Sequence, residues 1–351
     1  MNPAKKLGRW IRRMAHRRVG VVGDFMLDGY VWGNATRLSP EAAVPVVDFV
    51  AESECPGGAG NVAANLAALG ARAAAFGVCG DDPDGGRLRA SLEARGIDAR
   101  GVLADRGRRT TLKTRIIARH QQVVRVDRES RAPLSREMEE KLVAKAVGAL
   151  KNGRAGRGLD ALVISDYDKG TVTEELVRRL LAVCVKLGVP AFVKPKWSML
   201  ATYPGAAAIV LNSAEAGFLV TRPVEDDASA ELAGSQLLEK FKSSAVVLTR
   251  GPRGMMVFEP DGARALKIPA LGQETPFGSR LSARPTGQGQ QVFDVTGAGD
   301  TVLATLALAA AAGAPIRDAA ALGNAAAGIV VSKLGTATVS GKELAALIRS
   351  L

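Results

Sequence analysis

Six short apolar runs recur along the chain: RVGVVGDFML (18–27), RAAAFGVCGDDPDG (72–85), DALVISDYDKG (160–170), PAFVKP (190–195), AAIVLN (207–212) and SAVVLTRG (244–251). Between them lie segments with helical spacing, among them 134–151 and TEELVRRLLAVCVKLG (173–188), which closes on a glycine stop. Strand-length runs that stay apolar on both faces, alternating with helices, predict a doubly wound, mostly parallel α/β sheet flanked by helices. The chain is 47% hydrophobic but only 4% aromatic, so its core has to be built from Ala, Val and Leu in closely packed elements. Its 351 residues suit one large α/β unit with room for a small appendage.

Two regions break the pattern. TRLSPEAAVPVVDFVAES (36–53) alternates and is interrupted by proline, and RTTLKTRIIARHQQVVRVDRES (109–130) reads as a two-strand ribbon. Together they predict a small β lid over about 31–54 and 107–130, attached to one edge of the sheet. A polar stretch rich in Gly and Pro at 271–290 reads as an inserted mobile loop. Residues 1–18 form a basic leader ahead of one domain running from 19 to 351.

The net charge of +12 comes partly from that leader, where Lys5, Lys6, Arg9, Arg12, Arg13, Arg17 and Arg18 crowd together. A solvated amphipathic helix accounts for them, and no aromatic interleaving points to nucleic acid. Cys55, Cys79 and Cys184 lack disulfide or zinc spacing and read as buried free thiols. No apolar run reaches membrane-spanning length, and the leader lacks the apolar region and cleavage site of a signal peptide, so a cytoplasmic protein is expected.

The chemistry concentrates in DVTGAGDT (294–301). No Gly-Lys-Ser/Thr follows the glycines, and Val302 stands where a dinucleotide fingerprint needs a small residue. What remains is a set of backbone N–H groups at a helix N-terminus, which attract an anion, with a carboxylate placed among them. Asp300 either caps its own helix or faces a hydroxyl whose proton it accepts while the amides steady a phosphoryl group. Weaker signals surround it. GDFMLD puts Asp24 and Asp28 past the first strand, where sheet ligands gather. PGGAGN supplies a flexible backbone and Asn61. LNSAE offers Asn212 and Glu215 as oxygen ligands or water-mediated partners for Mg²⁺, and TRGPRG offers Thr249, Gly251 and Gly254. Each alone is equally a turn or a cap.

The order of these segments resembles the ribokinase-like (PfkB-type) sugar kinases. GGAGNVAANLAALGA (57–71) is similar to that family's first signature and DVTGAGDT to its second, with N-x-x-E and T-x-G-x-x-G between them. VVGDFMLDGYVWGNATRLSPEAAVPVV, TTLKTRIIARHQQVVRVDRE, SDYDKG and NAAAGIVVSKLGTATVS further resemble the kinase domain of the bacterial heptose enzymes. Those enzymes phosphorylate the anomeric hydroxyl of D-glycero-D-manno-heptose 7-phosphate on the way to ADP-heptose for lipopolysaccharide.

The resemblance implies ATP and Mg²⁺ as cofactors and a role for each matching position. Asp300 would be the base, and Gly297, Ala298 and Gly299 the anion hole. Asp24, Asp28, Gly57, Gly58 and Asn61 would hold the sugar, with Arg119, Gln121 and Arg125 on the ribbon near the sugar or its phosphate. Asn212 and Glu215 would organise Mg²⁺-ATP, and Thr249, Gly251, Gly254 and Asn324 would line the nucleotide side. Lids of related kinases pair between subunits, and the apolar Val44, Val46 and Phe49 suit such a homodimer. The chain carries no H-x-G-H motif, and its two histidines, His16 and His120, lie far apart. The stand-alone kinase form is therefore expected, with room in the pathway for a separate nucleotidyltransferase.

There are departures from the heptose kinases. They read Asp-Pro-Lys after a strand where this chain reads VKPKW, so Lys194 replaces an acid. Asp168 stands where Gly is common. Another sugar, sugar-phosphate or nucleoside kinase, and a nucleotide-binding regulator without catalysis, are the competing readings.

Overall fold

The structure, a computed structural model, describes residues 3–119, 121–152, 158–196, 203–260, 264–270, 297–333 and 336–351. The expected insertion at 271–290 and His120 lie outside the described residues.

Thirteen strands are described: β1 Arg18–Gly23, β2 Phe25–Leu38, β3 Pro45–Gly58, β4 Arg72–Gly80, β5 Asp98–Asp105, β6 Thr111–Ala118, β7 Gln121–Arg128, β8 Ala161–Ser165, β9 Ala191–Lys194, β10 Ala208–Asn212, β11 Val246–Thr249, β12 Met255–Phe258 and β13 Leu266–Ile268. The helices are α1 Pro3–Met14, α2 Ala59–Ala68, α3 Pro83–Glu93, α4 Arg136–Asn152, α5 Glu174–Leu187, α6 Ser213–Leu219, α7 Asp227–Phe241, α8 Ala298–Ala311, α9 Ile316–Val330 and α10 Gly341–Ser350.

Nine strands form one sheet in the order β13-β12-β11-β10-β9-β8-β1-β4-β5. Seven of them, from β5 to β11 in that order, run parallel, and β12 and β13 close one edge antiparallel. Two apolar clusters cover the two faces, one centred on α2, α8, α9 and α10 and the other on α4, α5 and α7. The six apolar runs supply β1, β4, β8, β9, β10 and β11, because a strand buried on both faces has no polar face to show. Sequence reasoning left out β5, β12 and β13. These strands lie at or next to the sheet edges; β12, Met255–Phe258, is itself a fully buried apolar run of only four residues.

A second sheet, β3-β2-β6-β7, leans off the first. The chain enters it from β1 through a single residue, Asp24, because β2 begins at Phe25. Its outer part stays open to solvent, with Phe49 65% exposed and Val44, Val50, Val124 and Val126 also exposed.

The basic leader does not stand apart from the domain. It forms α1, which packs on α10 and α8 and buries Ile11 and Met14. Lys6 and Trp10 both bond the Asp318 carboxylate, at 2.9 and 3.0 Å, which leaves the arginines on the outer face. Among the described residues no helix is long and apolar enough to cross a membrane, and no cluster of three or more His, Cys, Asp or Glu could hold a metal ion. The three cysteines are free, two of them buried and Cys55 half-buried.

Candidate active site

A cavity of about 790 Å³ opens at the carboxyl ends of the parallel strands, between the two sheets. The strand ends supply its polar floor: Tyr167 after β8, Lys194 at the end of β9, Asn212 at the end of β10 and Thr249 at the end of β11. Strand order brings these together because every parallel strand ends on the same side of the sheet.

Helix α8 points its N-terminus into the cavity. Its sequence carries no charge but Asp300, and Asp300–Ala309 are all buried, as expected of a helix apolar on every side. The N-cap is Gly297, with a left-handed backbone (φ +82°). A Cβ there would lie 2.6 Å from Asn61 Nδ2, so both conformation and space call for glycine. Among the described residues the N–H groups of Ala298 and Gly299 have no acceptor, whereas those of Asp300 and Thr301 bond to the Gly297 carbonyl.

Asp300 does not cap its own helix: the N-cap is Gly297, and no side chain caps it. Its Oδ1 accepts from Lys194 Nζ at 2.7 Å and from the Tyr167 hydroxyl, and its Oδ2 accepts from Asn61 Nδ2 at 3.0 Å. A carboxylate offers roughly four acceptor positions. Three are taken, and the fourth is on Oδ2. Burial, and then the Asp300 charge, push the Tyr167 hydroxyl well above its ordinary value, so it stays a donor. For Lys194, burial works against the charge, but the carboxylates of Asp300 and Glu215 outweigh it and hold the ammonium above its ordinary value.

Asp24, expected to hold sugar, is 1% exposed and does not line the cavity. Its Oδ2 accepts the backbone N–H groups of Tyr167 and Lys169, at 2.8 and 3.1 Å, and its Oδ1 that of Thr171, at 3.1 Å. It fastens the loop that carries Tyr167. In that loop Asp168 has φ +59°, which explains why glycine suits the position and why aspartate, tolerant of that region, can replace it.

Asp28 does line the cavity, paired with Arg115 at 2.6 Å. Burial raises its carboxyl above the ordinary value, and Arg115 pulls the other way. Gly57 lies behind it, where a Cβ would sit 2.2 Å from Asp28 Oδ2. Gly58, Asn61 and Arg125 line the cavity, whereas Arg119 and Gln121, at the exposed turn between β6 and β7, do not.

On the far side, Thr249, Gly251, Gly254 and Asn324 line the cavity together with Pro252, Ala327 and Val331. Gly254 has φ +76°, and a Cβ there would lie 2.0 Å from the Ile268 carbonyl. The Asn324 amide bonds to the Pro269 carbonyl at 2.8 Å, tying α9 to the chain after β13. Asn212 and Glu215 form a capping box on α6: Asn212 Oδ1 accepts the Glu215 N–H and a Glu215 oxygen accepts the Asn212 N–H. Glu215 itself does not line the cavity.

Lys113, Arg115, Tyr167 and Thr336 line the cavity without having been singled out in the sequence. A signal existed for Tyr167, which lies two residues past the end of β8. Lys113 and Arg115 alternate on a ribbon rich in cations, and nothing in the sequence says which of those cations face inward.

The sequence pattern of the pfkB family carbohydrate kinases matches residues 17–342. The chain is 42% identical over 332 residues to the "Bifunctional protein HldE" of Desulfatibacillum aliphaticivorans, covering 95% of this chain and 63% of that protein. It is 43% identical over 324 residues to the protein of the same name from Geobacter metallireducens, covering 92% and 61%. It thus spans about three-fifths of the length of these relatives. Among solved structures, phosphofructokinase-2 from Escherichia coli, in complex with substrates and products, superposes with a TM-score of 0.73 at 20% identity, covering 95% of this chain and 99% of that one. Arabidopsis thaliana ribokinase, complexed with ribose and ATP, does so with a TM-score of 0.69 at 19% identity over the same shares. The fold is therefore ribokinase-like, and the chain belongs to the pfkB family of carbohydrate kinases.

Proposed function

We propose that the protein transfers the γ-phosphoryl group of ATP to the anomeric hydroxyl of D-glycero-D-manno-heptose 7-phosphate, in the supply of ADP-heptose. One observation carries the phosphoryl-transfer reading: a buried carboxylate, Asp300, whose Oδ2 accepts only from Asn61 among the described residues, lines one cavity with Ala298 and Gly299, whose helix-N-terminal amides have no acceptor among those residues. The sugar hydroxyl donates to Oδ2 and its oxygen attacks phosphorus. The amides of Ala298 and Gly299 stabilise the charge on the transferring oxygens. Asp28 and the adjoining backbone of Gly57 and Gly58 face sugar hydroxyls, and the slot lined by Thr249, Gly251, Gly254 and Asn324 takes the nucleotide.

The donor set suits Mg²⁺ held through phosphate oxygens and water rather than in a protein cage. Asn212 Oδ1 and one Glu215 oxygen are committed to the capping box, and the other Glu215 oxygen lies 3.9 Å from Lys196 Nζ. When bound, the ion neutralises phosphate charge. The product, a glycosyl phosphate, is a substrate for nucleotidyl transfer, the reaction we place next. ATP as donor fits a cytoplasmic site.

Lys113, Arg115 and Arg125 on the sugar side support an anionic acceptor. A second reading, an uncharged sugar, is favoured by the carboxylate already on each of them: Asp127 and Glu129 on Lys113, Asp28 on Arg115 and Asp127 on Arg125. Turnover against a panel of sugars and sugar phosphates, followed by ADP release, separates the two. Activity confined to the heptose phosphate supports the first, and activity with free ribose or fructose alone discards it.

A further inference from the structure

The Lys194 ammonium stands in the cavity, between Asp300 and the first turn of α8. Its Nζ lies 2.7 Å from Asp300 Oδ1 and 3.5 Å from the Tyr167 hydroxyl. A Cβ placed on Gly299 would sit 3.5 Å from the same nitrogen, so the ammonium rests against the turn of α8 whose Ala298 and Gly299 amides have no acceptor among the described residues. The side chain is only 16% exposed, yet it lines the cavity. An ammonium has three N–H donors. Asp300 takes one, and Tyr167, at 3.5 Å, is at the limit for a second. Among the described residues Lys194 has no further acceptor, so at least one N–H is left for the cavity.

We propose that Lys194 is a catalytic residue of the transfer: one N–H stays on Asp300 Oδ1 while another binds an oxygen of the transferring phosphoryl group. The inference rests on the phosphoryl-transfer reading above and deepens it. The bond from sugar oxygen to phosphorus forms as the bond from phosphorus to the β,γ-bridging oxygen breaks. ADP leaves with that electron pair, and the hydroxyl proton passes to Asp300 Oδ2. Lys194 neither gains nor loses a proton. It fixes the distance between base and phosphoryl group and offsets the negative charge that the two would otherwise set against each other. That repulsion would be strong in a site so little exposed to water. The replacement of an acid by Lys194 then puts into this chain's own sequence a cation at the point of transfer.

The test is nucleotide binding by calorimetry with Mg²⁺ present, on Asp300→Asn, on Asp300→Asn with Lys194→Met, and on Lys194→Arg. The double variant removes both members of the buried pair and so leaves no lone charge in the core. Relative to Asp300→Asn, it should bind ATP at least about tenfold more weakly, the size of one charge-assisted hydrogen bond. Its affinity for ADP, which has no γ-phosphoryl group, should stay within about threefold, and Lys194→Arg should keep the native ratio of ATP to ADP affinity. Equal losses for both nucleotides, or none, overturn the role given to Lys194 even where the native chain turns over sugar. Failure of Asp300→Asn and the native chain to bind ATP overturns it together with the kinase mechanism.

Discussion

Asp24 Oδ2 accepts the backbone N–H of Tyr167 at 2.8 Å, so the residue that follows the first strand positions the one whose hydroxyl donates to Asp300. With Lys169 and Thr171 also held by Asp24, three loop amides depend on one carboxylate. Asp24→Asn replaces one acceptor oxygen with a donor aimed at those amides. The variant should lose about 2–4 kcal/mol of stability, the scale of leaving buried donors unmatched. It should also lose kcat by at least about tenfold through displacement of Tyr167, with KM for ATP little changed. Urea unfolding and steady-state kinetics check both, and a native unfolding midpoint would show that the loop is held by something else.

Asp300→Asn keeps the shape of the side chain and removes the proton acceptor. The expected loss in kcat is at least about 100-fold, with ATP still bound, the lower end for removing a general base. Single-turnover kinetics beside nucleotide binding measure the two separately. A variant that turns over at the native rate would move the base elsewhere.

Gly297→Ala forces a side chain onto a left-handed N-cap and against Asn61 Nδ2, 2.6 Å away. Because Asn61 also holds Asp300 Oδ2, the cost falls on both stability and catalysis. About 1–3 kcal/mol of destabilisation is expected, with a fall in kcat. A thermal melt of the purified variant reads the first, and Gly86→Ala, at a position with no atom within 4 Å, is the control.

Acid stability should follow Glu129. Burial pushes its carboxyl up, but bonds from Arg131, Lys169 and Lys113 outweigh that and bring it to about 2 from 4.5. The unfolded chain then holds more protons than the folded one between those values. The Glu129 contribution is full above pH 4.5 and lost as pH falls toward about 2. Asp166 has the opposite sign. Burial and the Asp24 charge lift its carboxyl to about 6, so it disfavours the fold above that pH and the penalty eases as pH falls toward 3.8. Unfolding midpoints from pH 3 to 7 should flatten at the acid end in Glu129→Gln. An unchanged acid limb would remove Glu129 from the account.

We propose that the open part of the second sheet pairs with a second copy of the chain, since Phe49, Val50 and Val124 remain exposed there. Phe49→Asp should convert a dimer to a monomer in light scattering after size exclusion, with the melting temperature within a few degrees of native, as expected for an exposed position. A native chain already monomeric at micromolar concentration would end this proposal.

The sequence by itself determined the parallel sheet, the glycine-led helix α8 and the identity of the carboxylate at its mouth. Apolar runs, spacing and glycine placement act locally and leave a local trace. It also flagged Lys194 as a reversal of charge, without saying what the charge would meet. Tertiary structure alone decided that Asp24 holds a loop while Asp28 faces the cavity, that Glu215 closes a capping box, and that Lys194 and Tyr167 share one oxygen of Asp300. Those roles depend on which strand ends lie side by side. Lys194 and Asp300 are 106 residues apart, and only the order β1-β8-β9 beneath α8 brings Tyr167, Lys194 and Asp300 within one hydrogen bond of each other.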